Sequence, residues 1–424
     1  MALSRRSFLR NSTLAAIGTA LPSLGISQLA FSQNSVAPLI LVIVHLRGGC
    51  DGFNLISPAT DPNFVAARTA DLRVSADGKD AGVALKGGPD TAIDFRLHPS
   101  AAGLAEIYQQ NQLAFVHAAG LTNETRSHFV ATDMMERGVG SQAEFARIDS
   151  GWLTRYLRTQ NLETLTPAIS VANSASGEFA GYGKALALPT LDYGLGIPGG
   201  APTESLLDSL YPASGNQIEA WGRQTLDAIR LVDRHLLRDN KGKVQPYKPD
   251  NGADYGSGAD LGRALKTAAQ LIKMNIGLSA ISVEMGGWDT HEGQPGRFKS
   301  QTDRLSSALS AFWNDMNRYH SNLLIVSLTE FGRRLRSNRS NGTDHGRAGA
   351  MLLMGGRIAG GRFYGPWPGL ATSQLDEGVD LAVATDYRQV LTEMLALHAG
   401  RQLPADVFPN YAHKADLGFS KNVA

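Results

Sequence analysis

The sequence predicts an α/β fold: a mostly parallel sheet flanked by helices on both faces. Three observations carry this. Apolar, β-branched runs such as "PLILVIVHL" (38–46) lack the alternation of a half-solvated strand, so they read as strands buried on both faces. Helical segments alternate with these runs, as crossover connections between parallel strands require. Residues of ligand type cluster just after the strand runs, where open α/β sheets place their sites.

In chain order, the strand at 38–46 leads into the loop "RGGCDGFNL". "HPSAAGLAEIYQQN" (98–111) reads as a helix and "LAFVHAAG" (113–120) as a second buried strand. "SHFVATDMMERG" (127–138) reads as a helix, with Ser127 as N-cap and Gly138 as its stop. "LTPAISVA" (165–172) reads as a further strand. From about 190 to 260, Pro and Gly clusters, a helix at 217–237 and a polar loop predict an inserted cap-like segment. A helix at 260–274 precedes the strand "LSAISVEM" (278–285), and a long helix covers about 296–320. "NLLIVSLTEFGRR" (322–334) passes from strand to loop, "AMLLMGG" (350–356) is a last strand, and 385–400 is a closing helix begun by Thr385 or Asp386.

The chain has 424 residues, 43% of them hydrophobic, which is enough for a sizeable core. A formal net charge of +1 offers no basic field for nucleic acid. With Cys50 the only cysteine, an intrachain disulfide and a thiolate-rich metal site are both excluded. The N-terminus carries paired arginines in "SRRSFLR" (4–10), then a short run of small and apolar residues broken by Pro22. This reads as an export signal of about 35 residues, similar to that of the twin-arginine route, with cleavage near Ser32 to Ala37. The mature chain, 36–424, is then expected to be soluble, without a membrane span, and periplasmic or extracellular, with the twin-arginine machinery as its export partner.

Four strand ends supply candidate residues. Asp51 follows the first strand; Thr125, Ser127 and His128 follow the second; Asp289 and His291, in "GWDTHEG", follow the strand at 278–285; Glu330 follows the strand at 322–329. Asp344 and His345 precede the strand at 350–356. Carboxylates with imidazoles and no thiolates suit zinc, manganese or iron better than calcium. A hydroxyl at a helix N-terminus beside such ions suits cleavage of anionic esters.

These motifs ("LRGGCDGFN", "TRSHF", "GWDTH", "TEFGRR" and "DHGRAGAMLLMGG") resemble an uncharacterised family of twin-arginine-exported bacterial proteins within the alkaline phosphatase and sulfatase superfamily. The resemblance implies an alkaline-phosphatase-like fold and a site for one or two divalent ions. Asp289, His291 and His345 would hold one ion; Asp51, Glu330 and a nucleophile, Ser127 or Thr125, would face the other. Asp344 would orient a ligand or substitute for one, and Arg126, His128 and Arg333 would contact substrate. Formylglycine chemistry is excluded, because Cys50 is followed by "DGFN". Two functions follow: an exported metal-dependent hydrolase of phosphate or sulfate esters, acting on an anionic small molecule or glycan ester, or a non-catalytic secreted binding or assembly protein that keeps the fold.

Overall fold

The computed structural model describes residues 39–78, 81–212 and 216–421. The export signal and its cleavage point lie outside the described residues. In chain order the strands are β1 Ile40–Leu46, β2 Ile56–Pro58, β3 Val83–Ala84, β4 Phe95–Leu97, β5 Leu113–Gly120, β6 Ala168–Ser170, β7 Ala185–Ala187, β8 Ala280–Met285, β9 Leu323–Leu328, β10 Arg333–Ser337, β11 Thr343–His345, β12 Gly349–Met354, β13 Phe363–Tyr364 and β14 Thr385–Asp386.

The central sheet runs β13-β5-β12-β9-β1-β8-β6-β7, with β14 also on β5. β1 pairs in parallel with β8 and β9, and β12 runs antiparallel to both β5 and β9. All the other pairings in the sheet are parallel. The expected mixed α/β architecture is thus present, with β12 alone reversed. That reversal matters for the site. β1, β5, β8 and β9 end at the edge of the sheet where β12 begins, so five strands feed one loop cluster.

Burial on both faces explains the unbroken apolar runs. Along β1, Ile40, Val42, Val44 and Leu46 enter one core, and Leu41 and Ile43 enter the other. Helices Ala102–Gln109, Ala259–Lys273 and Gln294–Asp315 cover the first face through Leu104, Leu265 and Phe312. Helices His128–Arg137, Trp152–Arg158 and Tyr387–Ala399 cover the second through Met134, Trp152 and Leu391.

Boundaries differ locally for physical reasons. Pro99 begins a 3-10 turn, Pro99–Ala101, so the helix expected from 98 starts at Ala102. The helix expected over 127–138 spans His128–Arg137 and ends at Gly138, whose φ of 68° is left-handed. Within the stretch expected to be inserted, helix Gln217–His235 begins with a capping box between Asn216 and Glu219. Val232, Leu236 and Val244, within the stretch expected to be cap-like, join the first core. No helix among the described residues is long and apolar enough to cross a membrane.

Candidate metal centre

Two glycine-containing loops are laid side by side at the sheet edge. Arg47 N donates to Met285 O at 2.9 Å, and Trp288 N donates to Arg47 O at 3.2 Å. Gly48 has φ +116°, and a Cβ there would stand 2.5 Å from Asp289 N. Only glycine lets the loop after β1 approach the "GWDTH" backbone so closely. Trp288 is fully buried and packs edge-on to Phe298, so the indole anchors the loop rather than meeting substrate.

Beyond that anchor, side chains converge. His291 Nε2 lies 3.0 Å from Asp289 Oδ1 and 2.9 Å from His345 Nε2. His345 Nε2 lies 3.3 Å from the same Oδ1, and His128 Nε2 lies 3.5 Å from Asp289 Oδ2. His128 arrives from the first turn of its helix. Ligand atoms placed tetrahedrally about an ion at roughly 2.0–2.1 Å are about 3.3–3.4 Å apart. The observed spacings, 2.9 to 3.5 Å, bracket that separation.

The other ring nitrogens fix the tautomers. His128 Nδ1 meets Glu330 Oε1 at 2.8 Å, His291 Nδ1 meets Asp344 Oδ1 at 3.2 Å, and His345 Nδ1 meets the Arg126 carbonyl at 2.8 Å. Oxygens of this kind only accept, so each Nδ1 carries the proton and donates. In the neutral rings, each Nε2 therefore presents a bare lone pair. His128 Nε2 is buried with no hydrogen-bond partner. Three lone pairs facing one carboxylate repel each other unless a cation or added protons stand between them. His128, Asp289 and His345 each place one ligand atom within 4.8 Å of the others, with His291 Nε2 beside Asp289 and His345, and imidazoles with a carboxylate fit a borderline ion such as zinc.

The surrounding charges keep the carboxylates ionised. Partial burial works to raise the Asp289 pKa, but the hydrogen bond and charge of Arg333 outweigh it and bring the group to about 2. Asp344 is held below the usual carboxylate value, first by the hydrogen bond from Asn338 and then by His291. Burial pushes His345 below its ordinary value, which favours the neutral, ligand-competent ring.

The sequence-derived candidates thus divide. Asp289, His291 and His345, expected to share one site, lie together, and His128, expected to contact substrate, lies beside them. Glu330 and Asp344 stand behind His128 and His291. Glu330 also accepts from Gly48 N at 2.7 Å, so its carboxylate faces the loop and the ring. Asp51, expected at a second ion, is not in the cluster. Its carboxylate is fully buried and taken by Arg68 Nη1 at 2.6 Å, Arg68 Nη2 at 3.0 Å and Gln294 Nε2 at 2.7 Å, and it also caps the short helix Gly52–Leu55. Arg333, expected to contact substrate, is instead fully buried; besides Asp289 Oδ1 at 2.7 Å it donates to the carbonyls of Gly48, Gly49, Trp288 and Thr343. Arg126 spends its guanidinium on Asp380 and Glu377. Ser127 is exposed and its side chain caps nothing, while Thr125 Oγ1 accepts from Ser127 N at 3.3 Å. The signal for His128 was present in "TRSHF": the residue after an N-cap lies in the helix's first turn and faces the same edge.

Residues 246–407 match a family described as a protein of unknown function, DUF1501. A comparison with curated proteins finds no match. Among solved structures, the PsFucS1 sulfatase from Pseudoalteromonas sp. is similar at 11% identity and TM-score 0.39, covering 93% of this chain and 75% of that one. Ps i-CgsB in complex with k-i-k-neocarrahexaose is similar at 9% identity and TM-score 0.38, covering 87% and 73%. The zinc complex of the C-terminal periplasmic domain of EcEptC from Escherichia coli is similar at 7% identity and TM-score 0.35, covering 76% and 74%. These scores are too low to transfer any activity or site.

Proposed function

We propose that this chain is a divalent-metal-dependent hydrolase of phosphate or sulfate esters, exported by the twin-arginine route. The observation that carries the reading is the convergence of three histidine Nε2 atoms on Asp289 at one sheet edge. His128, Asp289 and His345, with His291 beside them, would hold an ion, with zinc the best fit and manganese or iron also compatible. Such an ion supplies Lewis acidity toward the oxygens of an anionic ester.

The chain's own groups do the rest. Glu330, Asp344 and the Arg126 carbonyl hold three rings in one tautomer and orientation. Arg333 pins Asp289 through Oδ1. Ser127 is bracketed by two residues that touch the cluster, Arg126 through its carbonyl and His128 through its ring. Its hydroxyl stands at the N-terminus of a ten-residue helix, where backbone N–H groups and the helix dipole favour an anionic group. We assign Ser127 as the nucleophile over Thr125, whose Oγ1 is occupied by Ser127 N. Ser127 Oγ bonds to the phosphorus or sulfur as the ester bond breaks, the hydroxyl proton goes to the departing alkoxide, and water then cleaves the seryl ester, restoring the Ser127 hydroxyl and releasing phosphate or sulfate.

The test is hydrolysis of p-nitrophenyl phosphate and p-nitrophenyl sulfate by metal-free and metal-reloaded protein. Activity that appears with the ion and is absent from Ser127→Ala supports the reading. A metal-loaded chain that cleaves neither ester class overturns it, and leaves the alternative of a secreted metal-holding binding protein. Asp51, locked to Arg68 and so unable to serve a second ion, is the one observation that favours that alternative.

A further inference from the structure

One concave feature shares no residue with the metal centre. It lies between the end of helix Trp152–Arg158, the turn at 181–184 ahead of β7, and the first turns of helix Gln217–His235. Its volume is about 540 Å³, the size of a small-ligand site. Gln217, Trp221 and Gln224 line it at a spacing of four and three residues, so one helix face supplies all three.

Trp221 is held against Gly183. A Cβ on Gly183 would lie 2.4 Å from Trp221 Nε1, so the indole rests on a glycine backbone that no side chain could replace. Yet the residue remains 48% exposed and lines the groove. Two cations flank it. Arg158 Nη2 donates to Gly181 O at 2.7 Å and Lys184 Nζ donates to Leu162 O at 2.8 Å, which pins both ends of the floor to backbone. Neither cation has an ion-pair partner among the described residues, and no carboxylate lines the groove. Gln224 gives its Nε2 to Leu165 O at 3.0 Å and keeps its carbonyl oxygen for a ligand.

We propose that this groove binds an anionic oligosaccharide, a sugar chain bearing sulfate or carboxylate groups, as a site separate from the metal centre. A half-exposed indole stacks on the apolar face of a sugar ring. Amide side chains exchange hydrogen bonds with hydroxyl pairs, and the two unpaired cations meet the anionic groups. An acidic peptide is the rival occupant. It would be recognised through its backbone at the free edge of β7, but no residue of β7 lines the groove.

The test is titration calorimetry with a chondroitin sulfate tetrasaccharide and its desulfated form, at two salt concentrations. Micromolar to millimolar binding of the sulfated probe is expected, weakened about tenfold or more by desulfation, by Trp221→Ala or by high salt. Lys184→Gln should weaken binding and flatten the salt dependence. His128→Ala/His345→Ala protein should still bind, so failure of the hydrolase reading leaves this result intact. No binding by folded wild-type protein, equal binding by folded Trp221→Ala, or preference for an acidic peptide of similar charge overturns the proposal.

Discussion

Replacing Glu330 tests whether the rings are oriented from behind. The residue is 5% exposed, and its Oε1 accepts from both His128 Nδ1 at 2.8 Å and Gly48 N at 2.7 Å. Glu330→Ala removes the acceptor from both donors. The His128 ring is then free to turn or change tautomer, and the Gly48 loop loses a tie. Removing a carboxylate behind a metal-binding histidine weakens metal affinity about 10- to 100-fold, or roughly 1.4–2.7 kcal/mol. Glu330→Gln keeps a carbonyl oxygen facing both donors and loses only the charge assistance. Charge-assisted hydrogen bonds are about twice as strong as neutral ones, so a loss of about 1 kcal/mol, roughly fivefold in affinity, is expected. Zinc affinity is measured by chelator competition at pH 7.5, with thermal unfolding of each variant as the control for folding. Wild-type affinity in a folded Glu330→Ala variant, alongside lost affinity in His128→Ala, would refute the orienting role.

Four further outcomes follow from named contacts. Ser127→Ala should cut ester hydrolysis by about 10³-fold or more while leaving metal content unchanged, and Thr125→Ala should cost far less, as steady-state kinetics will show. Arg68→Ala strands a fully buried Asp51 carboxylate and should cost about 3–5 kcal/mol in urea denaturation, whereas Asp51→Asn should keep its metal. Gly48→Ala places a methyl group against Asp289 N and should lower metal occupancy in a folded protein. His117 is buried, with Nε2 donating to Ile56 O and Nδ1 accepting from Ala118 N, and burial lowers its pKa to about 4. Its folded pKa lies below the unfolded value of 6.5, so its stability contribution is present above 6.5 and lost as pH falls toward 4. His117's share of the loss between pH 7 and pH 5 is about 2 kcal/mol, so denaturation of His117→Gln should show a pH dependence weaker than wild type by that amount, while His98 and His398, also lowered to about 4 by burial, keep the rest.

The framework was legible where a run of residues carries its own burial pattern. β1 and β9 are apolar on both faces, so their place at the centre of the sheet follows from composition alone. The reversal of β12 was not legible, because an apolar run says nothing about strand direction. Part of the site was legible too. Asp289 and His291 follow a buried strand directly, and His345 precedes another. The roles of Asp51 and Arg333 were not, because both depend on partners distant in sequence. Arg68 and Gln294 consume Asp51, and four backbone carbonyls with Asp289 consume Arg333. A short polar motif reveals a residue's chemistry but not whether the fold has already satisfied it. His128 shows the reverse case, since its bare Nε2 appears only once Glu330 is seen to hold Nδ1.

The most direct test is the metal content of the purified chain, measured per polypeptide by elemental mass spectrometry, for wild type and the His128→Ala/His345→Ala double variant. The account predicts about one equivalent of zinc, manganese or iron in wild type and almost none in a folded double variant. A folded wild-type protein that holds no such metal, even after incubation with zinc, would contradict it.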